Sequence, residues 1–166
     1  VTEAGFVERS FDVVVLNFSL EHVGRPAETV RKVAGLLRPG GVVVIRVPNF
    51  AAALQGLSGA VFQLRLPHHC SFFTASSLVR LLEDGGFEPL EIATPFTLLE
   101  GVSITCERFP LLDPERWMYS SSYLAGLPRA AALAAITALV QPLTWRRCRR
   151  DEGLILQAAA RRPRHS

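Results

Sequence analysis

The sequence predicts an α/β domain built on a mostly parallel sheet, and three observations carry that prediction. Residues 11–23, FDVVVLNFSLEHV, open with an apolar run holding three consecutive valines and stop at a polar cluster, Asn17, Ser19, Glu21 and His22. Such a run reads as a strand buried on both faces, as central parallel strands are. A helical stripe and a second apolar run, VVVIRVP, follow within about 40 residues, the spacing of a parallel strand–helix–strand crossover. The polar cluster also falls at the carboxyl end of the first strand, where open α/β sheets hold their ligands.

The elements follow in order. Asn17 to Val23 form the loop after the first strand. RPAETVRKVAGLL is a helix, with Pro26 suited to its first turn, Glu28 favourable near its positive end, and Val30, Val33, Ala34 and Leu37 on one stripe. RPGG stops that helix, because proline cannot continue it and glycine accepts a left-handed turn. VVVIRVP is the second strand, ended by Pro48 and Asn49. Residues 50–66 are weakly patterned, a short helix or a mobile loop. Thr74 is an N-cap for a helix with Leu78, Leu81 and Leu82 on its apolar face, closed by Gly85 and Gly86. FEPLEIAT is a third strand, and its internal Pro89 argues for an edge or a bulge. Pro95 to Ser122 is irregular. LPRAAALAAITALVQPLTW is an apolar helix expected to end near Pro142, and GLILQAAARR is a last strand before a tail that frays over 161–166.

Composition narrows the function classes. With 166 residues, 49% hydrophobic and 20% charged, the chain has the make-up of one soluble globular domain spanning 1–166. Three widely spaced cysteines form no CxxC and no disulfide framework, so a reducing, cytoplasmic location is expected. The first ten residues have neither a basic start nor an apolar stretch, so no secretory signal is expected. The net charge of +3 is uneven: residues 146–166 hold seven arginines against two acidic residues. That tail reads either as contact with nucleic acid or an anionic surface, or as a solvated helix end. Seventeen of the 18 basic residues are arginine, which fits a coding bias, and no nucleic-acid partner is expected. Ala130–Trp145 is a run of 16 residues without charge, short of the roughly 20 that a span needs. A buried or surface-covering helix is expected there. A membrane-associated helix is the alternative, because four arginines follow at once.

FDVVVLNFSLEHV, VRKVAGLLRPGGVVVIRVPN, HHCSFFTASSLVRLLEDGGFEPLEI and DEGLILQAAARRP, in that order, resemble the second half of a class I S-adenosylmethionine-dependent methyltransferase. The resemblance implies a partial Rossmann-like class I methyltransferase sandwich, mostly parallel with a last antiparallel strand. The strands would be the family's fourth, fifth, seventh and sixth in spatial order, with 95–126 a variable insert. The family's glycine-rich cofactor loop and the acidic residue ending its second strand have no counterpart here. The chain thus resembles an incomplete, carboxyl-terminal part of the domain, expected to lack cofactor binding alone. The implied function is methyl transfer from S-adenosylmethionine to a small-molecule acceptor. The alternative is a non-catalytic interaction module that associates, or self-associates, through an open sheet edge at 11–17.

The resemblance also assigns candidate residues. Asn17, Phe18 and Ser19 would touch the cofactor, the simpler reading being that Asn17 ends a strand and Phe18 packs in the core. His22 is a candidate general base, since imidazole is largely neutral near pH 7. Glu21 would bind substrate beside it, or both begin the next helix. His68, His69 and Phe72 would line the acceptor pocket, or the histidines simply precede the helix. Adjacent side chains such as His68 and His69 do not share one face as metal ligands usually must, and no metal site is expected. Some quinone-biosynthesis relatives hold a divalent metal with an acidic pair and this histidine, but the first acidic position is Phe18 here. Arg46 could pair with Asp12 or Glu21.

Overall fold

The computed structural model describes residues 5–54, 68–95, 98–112, 123–150 and 152–164. Strand β1 (Phe11–Asn17) leads through a 3-10 turn (Leu20–His22) into helix α1 (Pro26–Leu36), then β2 (Leu37–Pro48) and the short α2 (Phe50–Leu54). Helix α3 (Ala75–Asp84) and β3 (Glu88–Ala93) follow. The chain then makes an excursion through α4 (Leu98–Arg108), a second 3-10 turn (Pro110–Leu112) and α5 (Tyr123–Cys148) before returning as β4 (Ile155–Arg161). The strands lie in the order β1-β2-β4-β3, with β1 parallel to β2 and β4 antiparallel to both its neighbours. This is the fourth, fifth, seventh, sixth arrangement with the last strand reversed.

One face of the sheet is the core. Alternation along the strands brings Leu16, Val43, Ile45, Val47, Leu156, Ala158 and Ala160 to that face, where Val30 and Val33 of α1 and Leu78 and Leu82 of α3 pack with them. Thr74 is the N-cap of α3, as expected, and it forms a capping box with Ser77. Gly85 is there for close approach: a Cβ on it would lie 2.4 Å from Val30 Cγ1. Pro89 lies on an edge strand beside a shift in register, again as predicted.

Five expectations need correction. The first run is buried on one face only: Leu16 is in the core, but Val13 and Val15 are 54% and 60% exposed on the opposite face. Period-two alternation splits such a run between two faces, and β1 is also an edge strand. RPGG stops helix α1 through its proline, as expected, since Pro39 disfavours helical backbone at Arg38 and the helix ends at Leu36. Its glycine does not close the helix: Gly40, with φ +83°, lies in the lead-in to β2. Within the region expected to be irregular, residues 98–108 form α4. Helix α5 does not end near Pro142 but continues to Cys148; Pro142 costs it the one N–H that would bond the carbonyl of Ala138, and the helix runs on through that gap. The tail is not frayed at its start. Arg161 belongs to β4, and Arg162 exchanges backbone hydrogen bonds with Gly40 and Gly41 while its guanidinium donates to the carbonyls of Ala34 and Leu37.

Candidate functional site

The carboxyl ends of β1 and β2 lie side by side, with Asn17 in register with Arg46. Beyond them the chain makes an unusual turn. Phe18 has φ +47°, a left-handed conformation that costs a bulky residue about 1–2 kcal/mol. Its amide still donates to Arg46 O at 2.9 Å, and its ring packs with Phe50 on a small cluster of Ala52, Leu154 and Ile155. The turn leaves Asn17 and Ser19 exposed and drives Leu20 and Glu21 inward, each 1% exposed.

Glu21 is the most constrained group in the region. Its carboxylate Oε1 lies 3.9 Å from His22 Nε2, and its buried Oε2 has no hydrogen-bond partner among the described residues. An uncompensated buried acceptor is costly, and where one persists it calls for an explanation. The Glu21 carbonyl is fully engaged, accepting from the amides of Cys70 and Ser71 at 2.7 and 3.0 Å, and Ser71 Oγ donates to Val23 O. Those bonds tie the segment around residues 68–71 onto the turn.

His22 is oriented by the same segment. Its Nδ1 lies 3.1 Å from His68 O. A carbonyl only accepts, so Nδ1 must carry a proton, and in the neutral ring Nε2 presents its lone pair on the Glu21 side. The His22 ring centroid is 4.9 Å from that of His68 and 4.8 Å from that of His69. The expectation that adjacent histidines could not converge is therefore corrected: ligand nitrogens of His22, His68 and His69 all lie within 4.8 Å of one another. The third ring comes from a different segment, so no common helix face is needed. A tetrahedral ion with bonds of about 2.0–2.1 Å would draw these nitrogens to about 3.4 Å. The acidic-pair metal site of some quinone-biosynthesis relatives does not fit this chain, because Phe18 offers no oxygen and packs on an apolar cluster.

Phe72 is exposed, with its ring 5.6 Å from that of Phe50. The structure thus brings Glu21, His22, His68 and His69 into one group. Asn17, Phe18 and Ser19 lie on the adjoining chain, and Phe72 is placed against α2. Arg46 does not pair with Asp12, which Arg38 takes at 2.8 Å. The Arg46 guanidinium stands 5.8 Å from the Phe18 ring centroid, and its buried Nε has no partner among the described residues. Asn49 is a residue the sequence reading passed over as a strand end. It is 3% exposed, donates from Nδ2 to Gly153 O, and accepts at Oδ1 from the Ala51 amide. It therefore holds the end of β2 to the segment entering β4. The one available signal was the Pro-Asn pair after a strand, a turn signature.

Comparison with known proteins agrees with this architecture. Residues 2–92 match a family model described as a methyltransferase domain. The chain is 37% identical over 89 residues to the ubiquinone biosynthesis O-methyltransferase of Aromatoleum aromaticum, covering 49% of this chain and 38% of that protein. It is also 37% identical over 90 residues to the enzyme of that name from Ralstonia nicotianae, covering 50% and 38%. The chain thus spans well under half the length of these curated relatives. Among solved structures it is similar in fold to an S-adenosylmethionine-dependent methyltransferase from Mesorhizobium loti, with TM-score 0.53 and 15% identity, covering 96% of this chain and 65% of that one.

Proposed function

The chain belongs to the methyltransferase-domain family, and from that premise we propose that it serves methyl transfer from S-adenosylmethionine to an oxygen of a small-molecule acceptor. The observation that carries this reading is the buried, unpartnered Glu21 Oε2 beside an oriented His22 at the carboxyl end of β1. S-adenosylmethionine supplies, when bound, a methyl group activated on a sulfonium. The acceptor hydroxyl donates to the Glu21–His22 pair. His22 Nε2 would take the acceptor hydroxyl's proton as that oxygen is methylated. Nδ1–H holds the ring on His68 O throughout, and the Glu21 carboxylate stabilises the imidazolium. His68, His69 and Phe72 line the acceptor's side, and Asn17, Phe18 and Ser19 meet the cofactor.

These residues supply one wall of a cleft. No glycine-rich turn follows β1 or β2, where Asn17-Phe18-Ser19 and Asn49-Phe50 stand instead. The 166-residue chain by itself is therefore expected to show no saturable S-adenosylmethionine binding, and stoichiometric binding in calorimetry would refute that. The catalytic assignment is tested by joining this chain to the part of the Aromatoleum aromaticum relative that precedes its matching segment. Labelled methyl transfer to phenolic acceptors is the readout. His22→Ala should lower turnover about 10²–10⁴-fold, the usual range for a lost general base. Turnover unchanged by both His22→Ala and Glu21→Gln would remove the pair from the reaction.

A second reading rests on a separate observation: among the described residues β1 pairs only with β2, and Val13 and Val15 are exposed on it. Such an edge recruits another strand, which makes the chain an interaction module. A strictly monomeric elution across concentrations counts against it.

A further inference from the structure

Helix α5 is built inside out. Among its described residues the fully buried positions are Gly126, Thr137, Thr144 and Cys148. Thr137 Oγ1 donates to Thr105 Oγ1 of α4, Thr105 Oγ1 donates to Gly101 O, and Thr144 Oγ1 bonds the carbonyl of Gln141. A Cβ on Gly101 would lie 2.7 Å from the Gln141 amide, so the two helices meet across a seam of glycine, threonine and glutamine. The outward half carries Leu139 at 81% exposed, Leu143 at 58% and Trp145 at 47%, with exposed alanines at 131, 134, 135 and 138 before them and no charge from Ala130 to Trp145. A surface helix in water shows the reverse pattern. Small residues and hydroxyl bonds at the seam with apolar side chains outside are how helices pair in lipid.

We propose that the outer face of α5 docks onto an anionic lipid bilayer, lying in its interface. Charge complementarity selects this occupant. The apolar face ends at Trp145, whose ring carries the Arg149 guanidinium 5.0 Å from its centroid, and Arg146 and Arg150 are exposed beside it. An indole at the boundary followed by a basic cluster is the arrangement that an acyl layer under acidic headgroups takes. A protein face would have to supply both a wide apolar surface and acidic groups in that same order.

The uncharged stretch is short for a span. Although α5 is long and apolar enough by length and composition to be a candidate, its uncharged 16 residues reach about 24 Å against a hydrocarbon core of about 30 Å. The α4 helix, with 11 residues, is about 16 Å long and cannot return the chain across. Thr94, just after β3, bonds the carbonyl of Cys148 at the far end of α5, so both ends of the excursion stay at the sheet. An in-plane helix satisfies all of these facts.

The test is flotation of the full chain with phosphatidylglycerol-rich and with pure phosphatidylcholine vesicles, at low and high salt. Trp117→Phe leaves Trp145 as the sole indole. The proposal expects flotation with the anionic vesicles, a blue shift of Trp145 emission, and quenching by lipid brominated high on its acyl chains. Leu139→Glu/Leu143→Glu, at exposed sites and checked for folding by circular dichroism, should weaken partitioning at least tenfold. Arg146→Gln/Arg149→Gln/Arg150→Gln should abolish the preference for anionic lipid. Three results overturn it: no partitioning into anionic vesicles at low salt, partitioning untouched by the double Glu variant, or a concentration-dependent dimer that this variant dissolves in place of vesicle binding.

Discussion

The layer formed by the sheet with α1 and α3 and the excursion formed by α4 and α5 follow opposite rules of polarity. In the first, Val33, Leu78, Leu82 and Ile45 are fully buried, and charges such as Arg38 and Asp12 pair in solvent. In the second, threonines are buried, and Leu139 is the most exposed large apolar side chain among the described residues. Composition differs too, since α1 and α3 carry charges and α5 has none from Ala130 to Trp145, but composition does not say which side of α5 turns inward. The difference lies in what each one packs against. A helix on a sheet face excludes water from apolar side chains, whereas a two-helix seam closed by glycine and threonine leaves its apolar surface to be covered from outside.

That contrast can be broken by mutation, and the largest effect should come from the core. Leu82→Ala should destabilise by about 2–5 kcal/mol in urea unfolding, while Leu139→Ala should stay within about 0.5 kcal/mol. Equal costs would mean α5 is buried as deeply as α3. Gly85→Ala drives a methyl into Val30 and should cost about 1–3 kcal/mol. Its counterpart Gly101→Ala meets the movable end of Gln141 and gains helix propensity of about 1 kcal/mol. It should therefore be near neutral, and a loss as large as that of Gly85→Ala would show that the seam is rigid. Thr74→Ala removes the capping box and should cost about 1 kcal/mol by the same measurement. Arg38→Gln breaks an exposed ion pair and should cost only a few tenths of a kcal/mol, vanishing at high salt.

Much of the layered half was legible before any coordinates. Three valines in a row and a stripe at Val30, Val33 and Ala34 are local statements, as are Thr74 as a cap and Pro89 as an edge marker. Local physics determined all of them. The candidate site was legible by position, since a polar cluster after a buried strand marks the ligand end of an α/β sheet. Its composition was less so. His22 and His68 meet across 46 positions, and the contact exists because the Glu21 carbonyl captures the amides of residues 70 and 71. Arg46 was expected beside a carboxylate, yet the left-handed turn at Phe18 puts an aromatic ring within reach of its guanidinium. Asn49 reads as a strand end and works as a buried tie, because its partner Gly153 is 104 residues away.

By itself the sequence determined that a strand, a helix and a second strand open the chain, and which face of α1 and α3 is apolar, while the order that places β4 between β2 and β3 came from the family resemblance. The local features follow from periodicity and chain stiffness over a few residues. Only the tertiary structure decided that Glu21 is buried with one oxygen unpartnered, that three imidazoles gather, and that α5 turns its threonines in and its leucines out. Those outcomes depend on which distant groups compete for the same volume, and in an alanine-rich helix with apolar residues all around, the side that faces inward is the one bearing the Thr137–Thr105 bond and the seam at Gly101.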